Sequence, residues 1–76
     1  MAVHKHLISY SDGGSRGNPG PSAYGYVIKT PDGESIAGHG EYVGITTNNQ
    51  AEYKGILAAI RKARELGAET LEMRMD

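Results

Sequence analysis

The hydrophobic and polar positions of this chain begin with short β-prone runs separated by turn-forming residues. The first run covers 7–11 and ends at Asp12, and the stretch 13–21 that follows is dense in glycine, proline and asparagine. A second run, rich in tyrosine, valine and isoleucine, covers 23–29. The pattern predicts two strands joined by an irregular loop.

A third strand is predicted at 34–43, after a tight turn at 30–33 in which proline comes early and glycine late. Gly38 and Gly40 interrupt the strand pattern, and glycines in a strand can mark a bulge. Because the connections are short, the three strands are expected to form an antiparallel meander.

A helical pattern follows. Thr47, Asn48 and Asn49 are all competent N-cap residues, the residues at 50–66 are mostly good helix formers, and Gly67 stands where a C-cap glycine belongs. At about 100° per residue, the apolar side chains gather on one face and charged ones on the other. The apolar face holds Ile56, Ala59, Ile60, Ala63 and Leu66, and the charged face holds Lys54, Arg61 and Glu65.

The residues at 70–76 alternate and predict a fourth strand. One side carries Leu71, Met73 and Met75, and the other carries Glu72, Arg74 and Asp76. A strand reached from a helix is expected to lie parallel to an earlier strand through a right-handed crossover. The fold class is therefore α/β, with three antiparallel strands, one helix and a parallel fourth strand.

Composition narrows the class of protein. The 76 residues suffice for one small domain, 1–76, and the absence of cysteine excludes disulfides, zinc–thiolate sites and cysteine nucleophiles. Eight Lys and Arg face nine Asp and Glu, so any phosphate contact must come from locally placed donors. Neither a signal peptide nor an apolar stretch of about 20 residues is present, and a soluble, cytoplasmic protein without membrane contact is expected.

Three carboxylates stand at unusual positions. Glu52 falls in the middle of the predicted apolar arc, where a carboxylate costs several kcal/mol unless it is paired or binds a metal. An equally good explanation is that Glu52 lies in the first helical turn and complements the helix dipole. Asp12 ends an apolar strand before the glycine-rich loop, although an isolated aspartate there is more often an ordinary turn residue. Asp76 closes the fourth strand.

If the fourth strand runs parallel to the first, Asp12 and Asp76 lie at carboxyl ends of neighbouring strands, where open α/β sheets place their ligands. Three converging carboxylates would repel one another, and Mg²⁺ relieves such repulsion because it prefers oxygen ligands. Two such ions about 4 Å apart can activate a water and stabilise the leaving oxygen of a phosphodiester. The scattered histidines and the basic helix face (Lys54, Arg61, Lys62, Arg64) are expected to be surface residues.

Three segments together resemble the ribonuclease H type 1 family. Residues 10–14 (Tyr-Ser-Asp-Gly-Gly), with 17–21 and 24–25, are similar to its first hairpin. Residues 46–52 (Thr-Thr-Asn-Asn-Gln-Ala-Glu) are similar to the start of its first helix, and 72–76 to the end of its fourth strand. The motifs occur in the family's order and cover essentially the whole chain after His6.

The resemblance implies a metal-dependent endonuclease that hydrolyses the RNA strand of RNA/DNA hybrids to 5′-phosphate and 3′-hydroxyl ends. Asp12, Glu52 and Asp76 would be the catalytic residues and would bind two Mg²⁺ (or Mn²⁺), with Asp12 as the bridging ligand. It also implies that hybrid contacts come from Gly13, Gly14, Asn18, Thr47, Asn48 and Asn49. Asparagine offers donors and an acceptor to a 2′-hydroxyl, and a helix N-terminus favours phosphate.

By the same resemblance, the chain is expected to be the N-terminal portion of the domain, truncated after the fourth strand. The C-terminal part of the fold, with a fourth carboxylate and a histidine, would be missing. Two alternatives remain open: a hybrid-binding module without chemistry, and a fragment that dimerises or pairs with a complementing half. The last would use the open edge of the fourth strand.

Overall fold

The computed structural model describes residues 5–75, which form one four-stranded sheet and one helix. The elements are β1 (His6–Ser15), β2 (Gly20–Lys29), β3 (Ser35–Thr46), α1 (Asn48–Glu65) and β4 (Thr70–Met75). The strand order is β3-β2-β1-β4. β1, β2 and β3 pair antiparallel and β4 pairs parallel to β1, which confirms the predicted meander and crossover.

β1 is longer than the sequence indicated, because the chain stays extended through Gly13, Gly14 and Ser15, which were predicted to be loop. These residues continue the ladder opposite Tyr24, Ala23 and Ser22. Backbone pairing with β2 therefore outweighs the low strand propensity of the two glycines. The loop that remains is short, running only from 16 to 19.

The predicted bulge at Gly38 and Gly40 is wrong. Gly38 pairs with Val27 and Gly40 with Gly25 in regular register. The irregularities of the β2–β3 ladder lie instead between Ser22 and Ala23 and between Ile28 and Lys29.

α1 begins at Asn48, which selects Thr47 from the three predicted N-cap residues. Thr47 is the N-cap, and its side-chain oxygen accepts the Gln50 N–H at 3.2 Å. At the other end the Ala68 N–H donates to the Ala63 carbonyl and Gly67 has a φ of 86°, a pattern that requires a left-handed residue. The C-terminal glycine is thus confirmed.

The face of α1 that packs on the sheet agrees with the prediction at Ala59 and Ala63 and differs from it at Ile60. Its buried residues are small: Ala51, Gly55, Ala59 and Ala63. Ile60, expected in the core, is 42% exposed. A Cβ on Gly55 would already stand 3.1 Å from the Tyr24 Cβ, so α1 lies too close to β2 for larger side chains on this face. The core beneath it is formed by Leu7, Tyr26 and Ile28.

Two buried serines allow a test of this packing. The Ser9 hydroxyl is buried and finds no hydrogen-bond partner among residues 5–75, whereas the Ser22 hydroxyl donates to the Gly20 carbonyl at 2.8 Å. Ser9→Ala is expected to leave the free energy of unfolding unchanged or raise it, because the desolvation of an unpaired hydroxyl is relieved. Ser22→Ala is expected to lower it by about 1 kcal/mol. Urea unfolding measures both, and equal losses would contradict the assignment.

Candidate functional site

The predicted site lies where the middle of β1 meets the carboxyl end of β4. β4 pairs with β1 from His6 and Thr70 to Ser11 and Met75. Beyond Ser11, β1 continues to Ser15 and, among the described residues, has a strand neighbour only on the β2 side. We call this unpaired side of β1, at 12–15, the notch.

The second turn of α1 packs directly against the notch. A Cβ placed on Gly13 would stand 2.8 Å from the Glu52 Cα and from the Ala51 carbonyl carbon and oxygen, a separation that side chains do not tolerate. Gly13 therefore lets the helix backbone at Glu52 approach the residue that follows Asp12. The structure thus brings the Asp12 and Glu52 segments of the chain together.

Glu52 is half-buried and is the fifth residue of α1, and the first turn contains no acidic residue. The alternative that Glu52 lies in the first turn and complements the helix dipole is therefore wrong, because the helix begins at Asn48 and its first turn ends before Glu52. The favourable effect of a carboxylate on the dipole is confined to the first turn. The helix dipole therefore does not explain why Glu52 is acidic.

Asp12 is exposed, and strand alternation places it on the sheet face away from α1, since Gly13 faces the helix. Asp76 lies outside the described residues. The last described β1–β4 pair, Ser11 with Met75, immediately precedes both aspartates along the chain. Within 5–75, no three acidic or histidine side chains stand close enough to hold a metal ion.

The predicted contact residues gather at the N-terminus of α1. The Asn18 side-chain oxygen accepts the Asn48 N–H at 3.0 Å, and the Asn48 side-chain oxygen accepts the Ser15 N–H at 2.7 Å. These two bonds tie the β1–β2 loop to the start of the helix. Each amide oxygen thereby accepts one backbone N–H, and the side-chain N–H groups are left as donors for other partners. Asn49 is exposed in the first turn, next to the Thr47 cap.

An unpredicted cluster lies on the same sheet face as Asp12. The Arg74 guanidinium donates to the Tyr10 hydroxyl at 3.1 Å and stands 5.7 Å from the centre of the Tyr10 ring. Arg74 also forms an ion pair with Glu72, and this hydrogen bond raises the pKa of the arginine. The Lys29 amine lies 5.3 Å from the same ring. The sequence held one signal: Arg74 and Asp76 alternate onto the same side of the last strand.

Two tyrosines have shifted acidities. Burial raises the pKa of Tyr24, and the hydrogen bond from its hydroxyl to Glu41, at 3.2 Å, adds to the shift. Burial also raises the pKa of Tyr26, with a smaller contribution from Glu65. Both phenols therefore stay protonated well above neutral pH, and neither is suited to act as a base.

No helix within 5–75 combines the length and apolar character needed to cross a bilayer.

The chain was compared with known proteins. The model of the RNase H family matches residues 4–76. Ribonuclease HI of Halobacterium salinarum is 47% identical over 68 residues, which make up 90% of this chain and 34% of that protein. The crystal structure of RNase H1 from the same archaeon superposes with a TM-score of 0.89 at 45% identity, covering 93% of this chain and 54% of that one.

A third relative was solved with a ligand. LC11-RNase H1 in complex with an RNA/DNA hybrid superposes with a TM-score of 0.84 at 40% identity, covering 91% of this chain and 53% of that one. The chain thus spans about a third of the Halobacterium protein and about half of the solved structures. The family model matches residues 4–76 of this chain, and the solved Halobacterium structure shares its four-stranded fold. The chain therefore belongs to the RNase H family.

Proposed function

We propose that this chain carries the metal-dependent hydrolysis of the RNA strand in RNA/DNA hybrids, with Asp12, Glu52 and Asp76 as the catalytic carboxylates. The observation that carries the proposal is the packing of α1 at Glu52 onto Gly13, next to Asp12. Because of that packing, Glu52 is the acidic residue of α1 that lies beside the notch. The related LC11 enzyme, solved with such a hybrid, supports the substrate class.

The residues present fit a divalent cation. Asp12 is exposed at the notch, Glu52 is only half-buried beside it, and both offer the oxygen ligands that Mg²⁺ or Mn²⁺ prefers. With two ions bound, such a site activates a water and stabilises the leaving 3′-oxygen. Water would add to phosphorus while the bond to the 3′-oxygen breaks, leaving a 5′-phosphate and a 3′-hydroxyl.

The hydrogen bonds of the asparagines refine how the hybrid is recognised. Because the oxygens of Asn18 and Asn48 each already accept a backbone N–H, we expect the side-chain N–H groups to make the contacts with a ligand. They would donate to a sugar hydroxyl oxygen or to a phosphate. The sequence had suggested that asparagine both donates to and accepts from the 2′-hydroxyl, and we now propose donation alone, which we call one-way donation. The first turn of α1, with Asn49, faces the same ligand and favours phosphate.

This one-way donation gives a sharp prediction. Asn18→Asp keeps the oxygen that accepts the Asn48 N–H but loses the outward N–H donors and adds a negative charge. We expect the thermal stability to be unchanged. The affinity for the hybrid should fall about tenfold or more, because a hydrogen bond from the side-chain N–H to a charged phosphate is replaced by repulsion between two negative charges. Fluorescence anisotropy with a labelled hybrid measures the affinity. Asn18→Ala is the control, expected to lose affinity and loop stability together.

The proposed function is tested by cleavage of a labelled RNA strand in a hybrid, with and without Mg²⁺. Magnesium-dependent cutting into products with 5′-phosphates supports it. Tight hybrid binding without cutting would favour the alternative of a binding module. Concentration-dependent association along β4, which is an edge strand of the described sheet, would favour the assembly alternative.

A further inference from the structure

The surface proposed to meet the hybrid carries few positive charges. Segments 12–18 and 47–52 hold two carboxylates, Asp12 and Glu52, and one basic residue, Arg16. The basic residues on either side of Arg16 along the chain, Lys5 and Lys29, lie at the opposite end of the sheet, where Lys29 pairs with residue 8. The net charge of −1 gives no general attraction for a polyanion. Attraction at this surface therefore depends on Arg16.

The backbone of Arg16 is fixed by its neighbours. Its N–H donates to the Pro21 carbonyl at 2.9 Å. A Cβ on Gly20 would stand 1.7 Å from the Arg16 carbonyl oxygen, so the loop closes tightly around this residue. Two residues later, the Asn18 side chain accepts the Asn48 N–H and ties the loop to α1. A side chain on such a base loses less conformational entropy when it binds a ligand, because the backbone is already ordered.

The Arg16 side chain is available for a ligand. It is exposed and forms no ion pair with a carboxylate of residues 5–75. Other basic residues of the structure are paired, as Lys62 is with Glu65 and Arg74 with Glu72. A guanidinium is planar and presents several N–H donors, which matches the oxygens of a phosphate.

Arg16 borders a hollow on the sheet face that carries Asp12. Gly14, Ala23 and Tyr42 line this hollow together with Arg16. Gly14 pairs with Ala23 and Ala23 pairs with Tyr42, so small residues form a low floor beside the tyrosine. Asp12 and Gly14 share one face of β1 and are about 6.6 Å apart along the strand. The hollow therefore lies next to the proposed cleavage site.

We propose that Arg16 binds a backbone phosphate of the hybrid in this hollow, close to the phosphodiester that is cleaved. This inference rests on the proposed function. The guanidinium N–H groups donate to the phosphate oxygens, so the contact recognises charge and not the base sequence. The positive charge also offsets the repulsion between the strand and Asp12. Because the contact releases a condensed counterion, its contribution to the affinity falls as salt is added.

The experiment measures the affinity of the full 76-residue chain for a labelled hybrid by fluorescence anisotropy, without Mg²⁺, at a series of salt concentrations. Arg16→Met is expected to weaken binding about tenfold at low salt, since a hydrogen bond between two charged groups is lost. The slope of log K against log salt should become shallower by about 0.9, the value for one phosphate contact. Arg16→Lys should keep the slope, because it keeps the charge. Hybrids of different sequence should show the same loss.

Arg64→Met is the matched control, because it removes the same charge from an exposed position in the last turn of α1. Arg64 lies about 24 Å along the helix from Asn48, more than twice the Debye length at 0.1 M salt. Its substitution should leave the slope unchanged. Thermal unfolding completes the control, since Arg16→Met should melt with the parent.

A parental slope and affinity in Arg16→Met, or an equal loss in Arg64→Met, would overturn the inference. Cleavage by the parent would still support the proposed function in that case. If the parent does not bind the hybrid, the proposed function fails, and nuclear magnetic resonance with a short single-stranded RNA tests the phosphate contact separately. The side-chain N–H signal of Arg16 should shift and that of Arg64 should not. Equal shifts, or none, would contradict the contact.

Discussion

Replacing Asp12 by asparagine is expected to abolish magnesium-dependent cleavage of the hybrid, with a rate loss of at least about 10³-fold, or about 4 kcal/mol of transition-state free energy. The substitution keeps the shape of the side chain and removes the charge that would bridge the ions. Asp12 is exposed, and its carboxylate accepts no hydrogen bond within the described residues, so the fold should be unaffected. Cleavage of labelled RNA measures the rate.

Thermal unfolding adds a readout that does not depend on turnover. Mn²⁺ should raise the melting temperature of the parent chain, because a ligand that binds only the folded state stabilises it. This rise should vanish in Asp12→Asn and shrink in Glu52→Gln. The control is Asp32→Asn, an exposed aspartate in the turn after β2, which should behave as the parent. Equal stabilisation of Asp12→Asn by Mn²⁺ would remove Asp12 from the site.

The second large effect is expected from Gly13→Ala. A methyl group at this position would stand 2.8 Å from backbone atoms of Ala51 and Glu52, and neither strand nor helix backbone can rotate away as a side chain could. We expect a loss of about 1–3 kcal/mol in the free energy of unfolding from overpacking. In a domain this small such a loss is a large part of the total stability. Urea unfolding gives the value.

Gly14→Ala is the matched control, because its methyl group would find its nearest neighbour, the Asn48 side-chain oxygen, at 3.8 Å. It should cost little. Gly13→Ala should also weaken Mn²⁺ binding at concentrations and temperatures where the chain is folded, since α1 carries Glu52 away from the notch. A Gly13→Ala variant as stable as Gly14→Ala would show that α1 does not approach β1 so closely.

Local patterns were enough for most of the architecture. The turn at 30–33, the glycine at position 67 and the alternation of the last strand each follow from nearest-neighbour chemistry, and each is confirmed. The antiparallel order of the first three strands followed from their short connections, and the structure adds that the fourth strand pairs with β1. The joint occurrence of three motifs likewise identified the family from residues alone, and the family model confirms it.

The periodicity of the sequence did not predict the distances between elements. The helical wheel ranked Ile60 as core because it weighs hydrophobicity, whereas the structure exposes Ile60 and buries Ala51 and Gly55, since α1 approaches the sheet too closely for larger groups. The short distance between α1 and the sheet also places Glu52 against Gly13. The oxygens of Asn18 and Asn48 accept backbone N–H groups at the same end of the helix.

The sequence by itself thus predicted the elements and the antiparallel order of the first three strands, because propensity, alternation and turn chemistry act between neighbours along the chain. Only the tertiary structure decided which helix face is buried, which asparagine atoms remain free and how Tyr10 meets Arg74 across β1 and β4. Those outcomes depend on contacts between residues far apart in the chain, and on side-chain volume at the contact, which a one-dimensional pattern does not contain.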